Sequence, residues 1–170
     1  MLAILIAPIL VSAASIFTAS SKLAAKCSAP LDNDCSFYND CIEASIPCGP
    51  KGYSLGFGGR YCQKFRDHAK EFSLDGNTWI TKVMKCLQTE MIPVVFKKVP
   101  VKTCADLQTF GFNVHGGCYI NTGICDLPAV DLSRIVMIIR GEVLNPTSFP
   151  TMREVAAYCG FKIRTKAING

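Results

Sequence analysis

Residues 62–125 read CQKFRDHAKEFSLDGNTWITKVMKCLQTEMIPVVFKKVPVKTCADLQTFGFNVHGGCYINTGIC. Five cysteines, Cys62, Cys86, Cys104, Cys118 and Cys125, are set here between segments of helical spacing. Trp79, Val83, Met84, Cys86, Leu87 and Met91 recur at intervals that place them on one face of an amphipathic helix. At that spacing Trp79 reads as a core residue rather than an exposed partner anchor. Pro93 is expected to bend or end this helix, because it lacks an N–H and clashes with the preceding turn. Val94-Val95-Phe96 then reads as strand or helix. Thr103 is placed to cap a further helix through Leu107 and Phe110, expected to end at Gly111 or at Gly116-Gly117.

Four cysteines precede this stretch (Cys27, Cys35, Cys41, Cys48) and one follows it (Cys159), making ten. Structural zinc sites use close pairs such as C-x-x-C, and the chain has none, so no metal site is expected. An even number of cysteines, none before residue 27, points to disulfides formed in an oxidising compartment. Ten cysteines allow hundreds of full pairings, so spacing alone does not fix the connectivity.

Residues 1–21, MLAILIAPILVSAASIFTASS, carry no charged side chain. The apolar run Leu2–Val11, followed by small residues, reads as a signal peptide over 1–20, with cleavage near Ala13 or Ser20. It contains Pro8 and is shorter than the roughly 20 apolar residues of a membrane span, and Leu132–Ile139 is shorter still. The 170 residues are enough for one domain, expected over 27–160, with a basic and mobile tail over 161–170. A net charge of +5 is compatible with attraction to an anionic partner or surface. No Lys/Arg block interleaved with aromatics is present, so nucleic acid is not an expected partner.

Elsewhere the signals are again helical. CSFYNDCIEA, 35–44, reads as a short helix capped by Asp34. It stops before the breaker Pro47-Cys48-Gly49-Pro50. Gly52, Gly56, Gly58 and Gly59 read as a flexible loop leading into a helix that ends near Phe72. Asp126 and Pro128 start another helix, with Val130, Ile135, Val136, Ile138 and Ile139 as its apolar face and Arg140-Gly141 as its end. Thr151-x-x-Glu154 matches a capping box opening a short final helix with Val155, Ala156 and Cys159. The expected fold class is all-α: a compact bundle of five or six short helices cross-linked by five disulfides.

Chemistry-bearing motifs are few. Gly52-Tyr53-Ser54-Leu55-Gly56 matches G-x-S-x-G, but Cys48-Gly49-Pro50-Lys51 cannot be the buried strand that a nucleophile elbow needs. His68 follows Asp67, superficially like a secreted phospholipase A2. Those enzymes carry adjacent cysteines and the order His-Asp, both absent here. His68 is expected on a helix surface and His115 in the loop before Gly116. Asp75-Gly76-Asn77 lacks the later carboxylates of a calcium loop. No catalytic, cofactor-binding or metal-ligating residue is assigned. No N-x-[ST] glycosylation site is open, since Asn145-Pro146-Thr147 is blocked by its proline.

The cysteine lattice resembles that of the stanniocalcins, secreted cysteine-rich glycoprotein hormones. The most specific part is the 23-residue interval between Cys62 and Cys86, with Phe72, Gly76 and Lys85-Cys86 inside it. The intervals Cys104–Cys118 and Cys118–Cys125, the long interval to Cys159, and Cys35…Cys41-Ile42-Glu43 are similar as well. The resemblance implies a mostly helical domain in which Cys27 pairs with Cys41, Cys35 with Cys62, Cys48 with Cys104, Cys86 with Cys118 and Cys125 with Cys159. It also implies a secreted regulatory protein that binds an extracellular receptor or proteinase, without catalysis, in calcium and phosphate homeostasis. This sequence departs from the vertebrate pattern in lacking an eleventh cysteine and the early glycosylation site, and in its longer, glycine-rich Cys48–Cys62 interval. A covalent homodimer is therefore not expected, and a non-covalent dimer stays open. The alternatives are a small secreted calcium-dependent hydrolase of phospholipase type and a defence protein using its basic surface.

Overall fold

The computed structural model describes residues 24–142, 146 and 148–169, with side chains through 161. The expected signal segment lies outside the described residues. Among those described the architecture is all-α, with no strand. After a short helical stretch over 24–28, five longer α-helices carry it: α1 (Arg60–Asp67), α2 (Leu74–Val95), α3 (Cys104–Asn121), α4 (Ala129–Ile139) and α5 (Phe149–Asn169). Two π-helical segments, Tyr38–Glu43 and Tyr53–Gly59, precede them.

The centre is α2. Of the expected face, Trp79, Val83, Met84, Leu87 and Met91 are buried and Cys86 is half-buried, and Ile80 and Val94 join them in the core. Ser73 starts it by accepting the Gly76 N–H at 3.1 Å. Pro93 does not end it, because the proline sits in the last turn and the helix needs only two further residues. Termination comes at Lys97, at φ 54°, where Lys97 N–H reaches the Val94 carbonyl and Lys98 N–H reaches that of Pro93. This is a Schellman closure with lysine in the place usually held by glycine.

Helix α3 packs along α2, and α5 packs on α3. Thr103 caps α3 as expected, in a full capping box with Asp106. The helix runs through Gly111 and Gly116-Gly117 rather than stopping there. Its left-handed stop is Gly123, at φ 95°. Gly111 is a contact site, not a terminator: a Cβ there would lie 2.2 Å from the Tyr53 ring. At α5 the expected capping box is absent. The helix begins at Phe149, and Thr151 Oγ1 instead donates to the Phe112 carbonyl of α3 at 3.3 Å. The backbone stays helical to Asn169, through the segment expected as a mobile tail. Helices α2, α3 and α5 run to 22, 18 and 21 residues.

The glycine-rich stretch 52–59 is also not a loop. It forms the second π-helical segment and lies against the first. Bare α-carbons permit that approach, since a Cβ on Gly58 would meet the Tyr38 ring at 2.3 Å. Helix α4 buries Asp131, Ile135 and Ile139, while Val130 and Val136 face solvent. The expected apolar face is therefore rotated. Bridges join Cys27–Cys41, Cys35–Cys62, Cys48–Cys104, Cys86–Cys118 and Cys125–Cys159, and no described cysteine is free.

Two helical glycines in α3 should respond to alanine with opposite signs. Gly117 faces open space, so Gly117→Ala should stabilise by up to about 1 kcal/mol through helix propensity. At Gly111 the same gain is outweighed by overlap with the buried Tyr53 ring. Gly111→Ala should destabilise by about 1–3 kcal/mol. Denaturant midpoints of the two variants against the parent protein check both signs.

Candidate functional site

The residues with catalytic letters do not come together. Ser54 has no exposed surface and donates through Oγ to Glu43 Oε2. The other oxygen of Glu43 accepts the Gly49 N–H at 2.5 Å. This trio ties the first π-helical segment to the second and to the turn before it. No histidine is among Ser54's partners, and the serine lies on a π-helix rather than at a strand-to-helix elbow. His68 sits exposed at the C-terminal end of α1 with Nδ1 2.6 Å from Glu71 Oε1. Its neighbour Asp67 accepts instead from Gln63 at 2.7 Å, so Asp67 and His68 do not pair. Asp75-Gly76-Asn77 forms the first turn of α2. Among the described residues no cluster of three or more His, Cys, Asp or Glu side chains is placed to hold a metal ion.

His115 lies inside α3, not in a loop, and is buried. Its Nδ1–H donates to the Gly111 carbonyl one turn back, at 2.6 Å. Phe112 stacks against it, and Phe57 and Tyr119 meet it edge-on, with ring centroids 5.6–5.7 Å away. Burial pulls its pKa down from 6.5 to about 4, against the weaker upward pull of the Gly111 hydrogen bond. A neutral imidazole in an aromatic box is a packing element here. Trp79 is buried and tilted against Tyr119 at 6.0 Å, which makes it core as its spacing predicts.

Asp131 is a buried carboxylate on the apolar face of α4. It accepts from Ser73 N–H at 3.1 Å, from Ser73 Oγ, and from Arg134 at 3.1 Å. Burial pushes its pKa up, but the Ser73 and Arg134 hydrogen bonds outweigh that and hold it below the ordinary carboxylate value. It therefore stays ionised and fastens α4 to the start of α2. The signal was in the sequence, since a lone acid shares a helical face with Ile135 and Ile139.

Among the described residues, an open cleft of about 520 Å³ lies between α1 and α4. One wall carries Arg60 and Lys64 on α1 and His68 just past its end, at four-residue steps. The other carries Arg134 and, just past α4, Arg140. Tyr61 is buried at its base and donates to Glu142 Oε1 at 2.9 Å. Burial, and then Glu142, push the Tyr61 phenol up, so it remains a donor. Lys64 Nζ lies 4.8 Å from the centre of the Tyr61 ring and Arg60 Cζ 5.5 Å from it. Among the described residues, Arg60, Lys64 and Arg140 have no carboxylate partner. Glu71, the one carboxylate lining the cleft, is engaged by His68. Among the described residues, no helix is long and apolar enough to cross a membrane.

Fold and site together define a disulfide-stapled helical domain whose buried polar groups serve packing and whose open recess is cationic. The model of the stanniocalcin family matches residues 13–160 of the 170, and the chain belongs to that family. It is thus a stanniocalcin-like protein of hormone type. No curated protein and no solved structure matches the chain.

The buried imidazole gives stability a pH signature. The folded-state pKa of His115, about 4, lies below its ordinary 6.5. Between those values the unfolded chain takes up a proton that the folded one refuses. Stability should therefore be complete above about pH 6.5 and fall by about 3 kcal/mol down to about pH 4. His115→Phe should lack this component. Denaturation curves of both proteins at stepped pH check it, and parallel pH profiles would show that His115 is not the group responsible.

Proposed function

We propose that this protein acts outside the cell as a regulatory protein of hormone type. It binds an extracellular receptor or proteinase, turns over no substrate, and serves calcium and phosphate balance. The observation that carries this reading is the cysteine chemistry. All ten cysteines are in bridges, a state suited to an oxidising compartment. Membership of the stanniocalcin family supplies the hormone-type role. The buried, Glu43-bound Ser54, and Asp67 and His68 engaged by Gln63 and Glu71 rather than by each other, favour binding over hydrolysis.

The test uses the full chain expressed through a secretory pathway and recovered from the medium. Labelled oxidised protein should bind saturably to ion-transporting epithelial cells and be displaced by unlabelled protein. Reduced and alkylated protein should not compete. Ser54→Ala and His68→Ala should bind with unchanged affinity. A biological response lost in either variant while folding is intact would return the protein to the enzymes. Retention of the chain inside the cell would overturn the extracellular reading.

A further inference from the structure

We propose that the cleft between α1 and α4 binds a sulfated polysaccharide chain of the cell surface or extracellular matrix. The proposal rests on the extracellular reading above and names a partner that reading leaves open. Four basic side chains, Arg60, Lys64, Arg134 and Arg140, line one recess from two sides. Three of them are arginines, whose planar forks match the oxygens of a sulfate group in bidentate fashion. Arg134 is already anchored on Asp131 at 3.1 Å, which fixes one wall before any ligand arrives. On the other wall, Arg60 and Lys64 lie over the Tyr61 ring, whose hydroxyl is held by Glu142.

Shape separates this ligand from other polyanions. The site is a recess of about 520 Å³, within the size range of ordinary ligand sites. A narrow chain can enter and meet charges on both walls, whereas a bilayer surface lies across the rim. The only strongly exposed apolar side chain lining the recess is Met137, which gives a membrane little to gain by insertion. Nucleic acid is disfavoured by compartment. Sulfates spaced along a sugar backbone are the extracellular anions that suit two facing rows of guanidinium and ammonium groups.

The oxidised full chain is titrated onto immobilised heparin at physiological salt. Comparators are hyaluronan, which carries carboxylates but no sulfate, and vesicles of equal parts phosphatidylserine and phosphatidylcholine. Heparin should bind and weaken steeply with salt, and neither comparator should match it. The double variant Arg60→Glu with Arg140→Glu should lose roughly tenfold or more in affinity. Lys97→Glu with Lys98→Glu makes the same charge change away from the cleft and should lose less than about threefold. A mass showing five bridges and an unchanged circular dichroism spectrum guard against misfolding. A measurement on the unmodified protein stands beside the variants: heparin should slow acetylation of Lys64 and leave Lys97 unaffected.

Equal losses in the two double variants would overturn the site in favour of diffuse charge attraction. Vesicles binding as well as heparin would transfer the cleft to membranes, and absent heparin binding would end the proposal. Saturable cell binding that survives enzymatic removal of surface glycans, with no affinity for heparin, overturns only the glycan site. Heparin binding with no cellular site beyond the glycan overturns only the receptor reading.

Discussion

The Cys86–Cys118 bridge joins α2 to α3, and the rest of the molecule is arranged on that pair. The cysteines are 32 residues apart, so closing the loop in the unfolded chain removes entropy worth about 4 kcal/mol in the chain-entropy account. What it holds is a helix pair with two different uses for its outer faces. On one side α2 takes the first π-helical segment; on the other α3 takes α5 and the second π-helical segment. Cys35–Cys62 and Cys48–Cys104 tie the early segments to α1 and to the start of α3. The Cys125–Cys159 bridge fastens α5 to the turn that follows α3. Each bridge thus ties together segments that lie apart in sequence, which suits a small domain whose apolar core is modest.

Between the bridges, the interior is held by buried polar groups that need specific partners. Asp131 finds Ser73 and Arg134, Ser54 finds Glu43, and His115 finds the Gly111 carbonyl. Gln88 donates to the Asp34 carbonyl at 2.7 Å, across 54 residues of sequence. Removing one member of such a pair costs the full desolvation of the other. These contacts fix which face of α4 meets α2 and which side of the second π-helical segment meets the first. A purely apolar core would set neither so sharply.

Periodicity made the centre of the fold legible. The buried face of α2 and the Thr103 cap of α3 could both be read from side chains that act locally. Other features depend on what a residue touches far along the chain, and there local reading failed. Gly111 and Gly58 look like breakers until Tyr53 and Tyr38 are known to press on them. His115 looks like a loop residue because two glycines follow it, yet α3 does not stop until Gly123. The expected α4 face of Val130, Ile135, Val136, Ile138 and Ile139 left out Asp131, which belongs inside, while Val130 and Val136 face solvent. Disulfide pairing was never legible from spacing and entered only through the resemblance. The cleft shows one wall in the sequence, as Arg60, Lys64 and His68 at four-residue steps. Its second wall lies about seventy residues on, at Arg134 and Arg140, where nothing local marks it as a partner.

The positive character of that cleft follows from how the fold employs its nearby acids. Asp131 is spent on Ser73 and Arg134 beneath the wall, and Glu142 accepts from Tyr61 at the base. Glu71 at the rim is engaged by His68. These three carboxylates each have a structural partner, and among the described residues Arg60, Lys64 and Arg140 have no carboxylate partner. A net charge of +5 spread over the surface would be weakly felt at physiological salt, where the field decays within roughly 8 Å. Gathered on two walls of one recess, the same kind of charge acts at contact distance and over a low-dielectric aromatic base. Local arrangement, rather than net charge, therefore decides what this surface can attract.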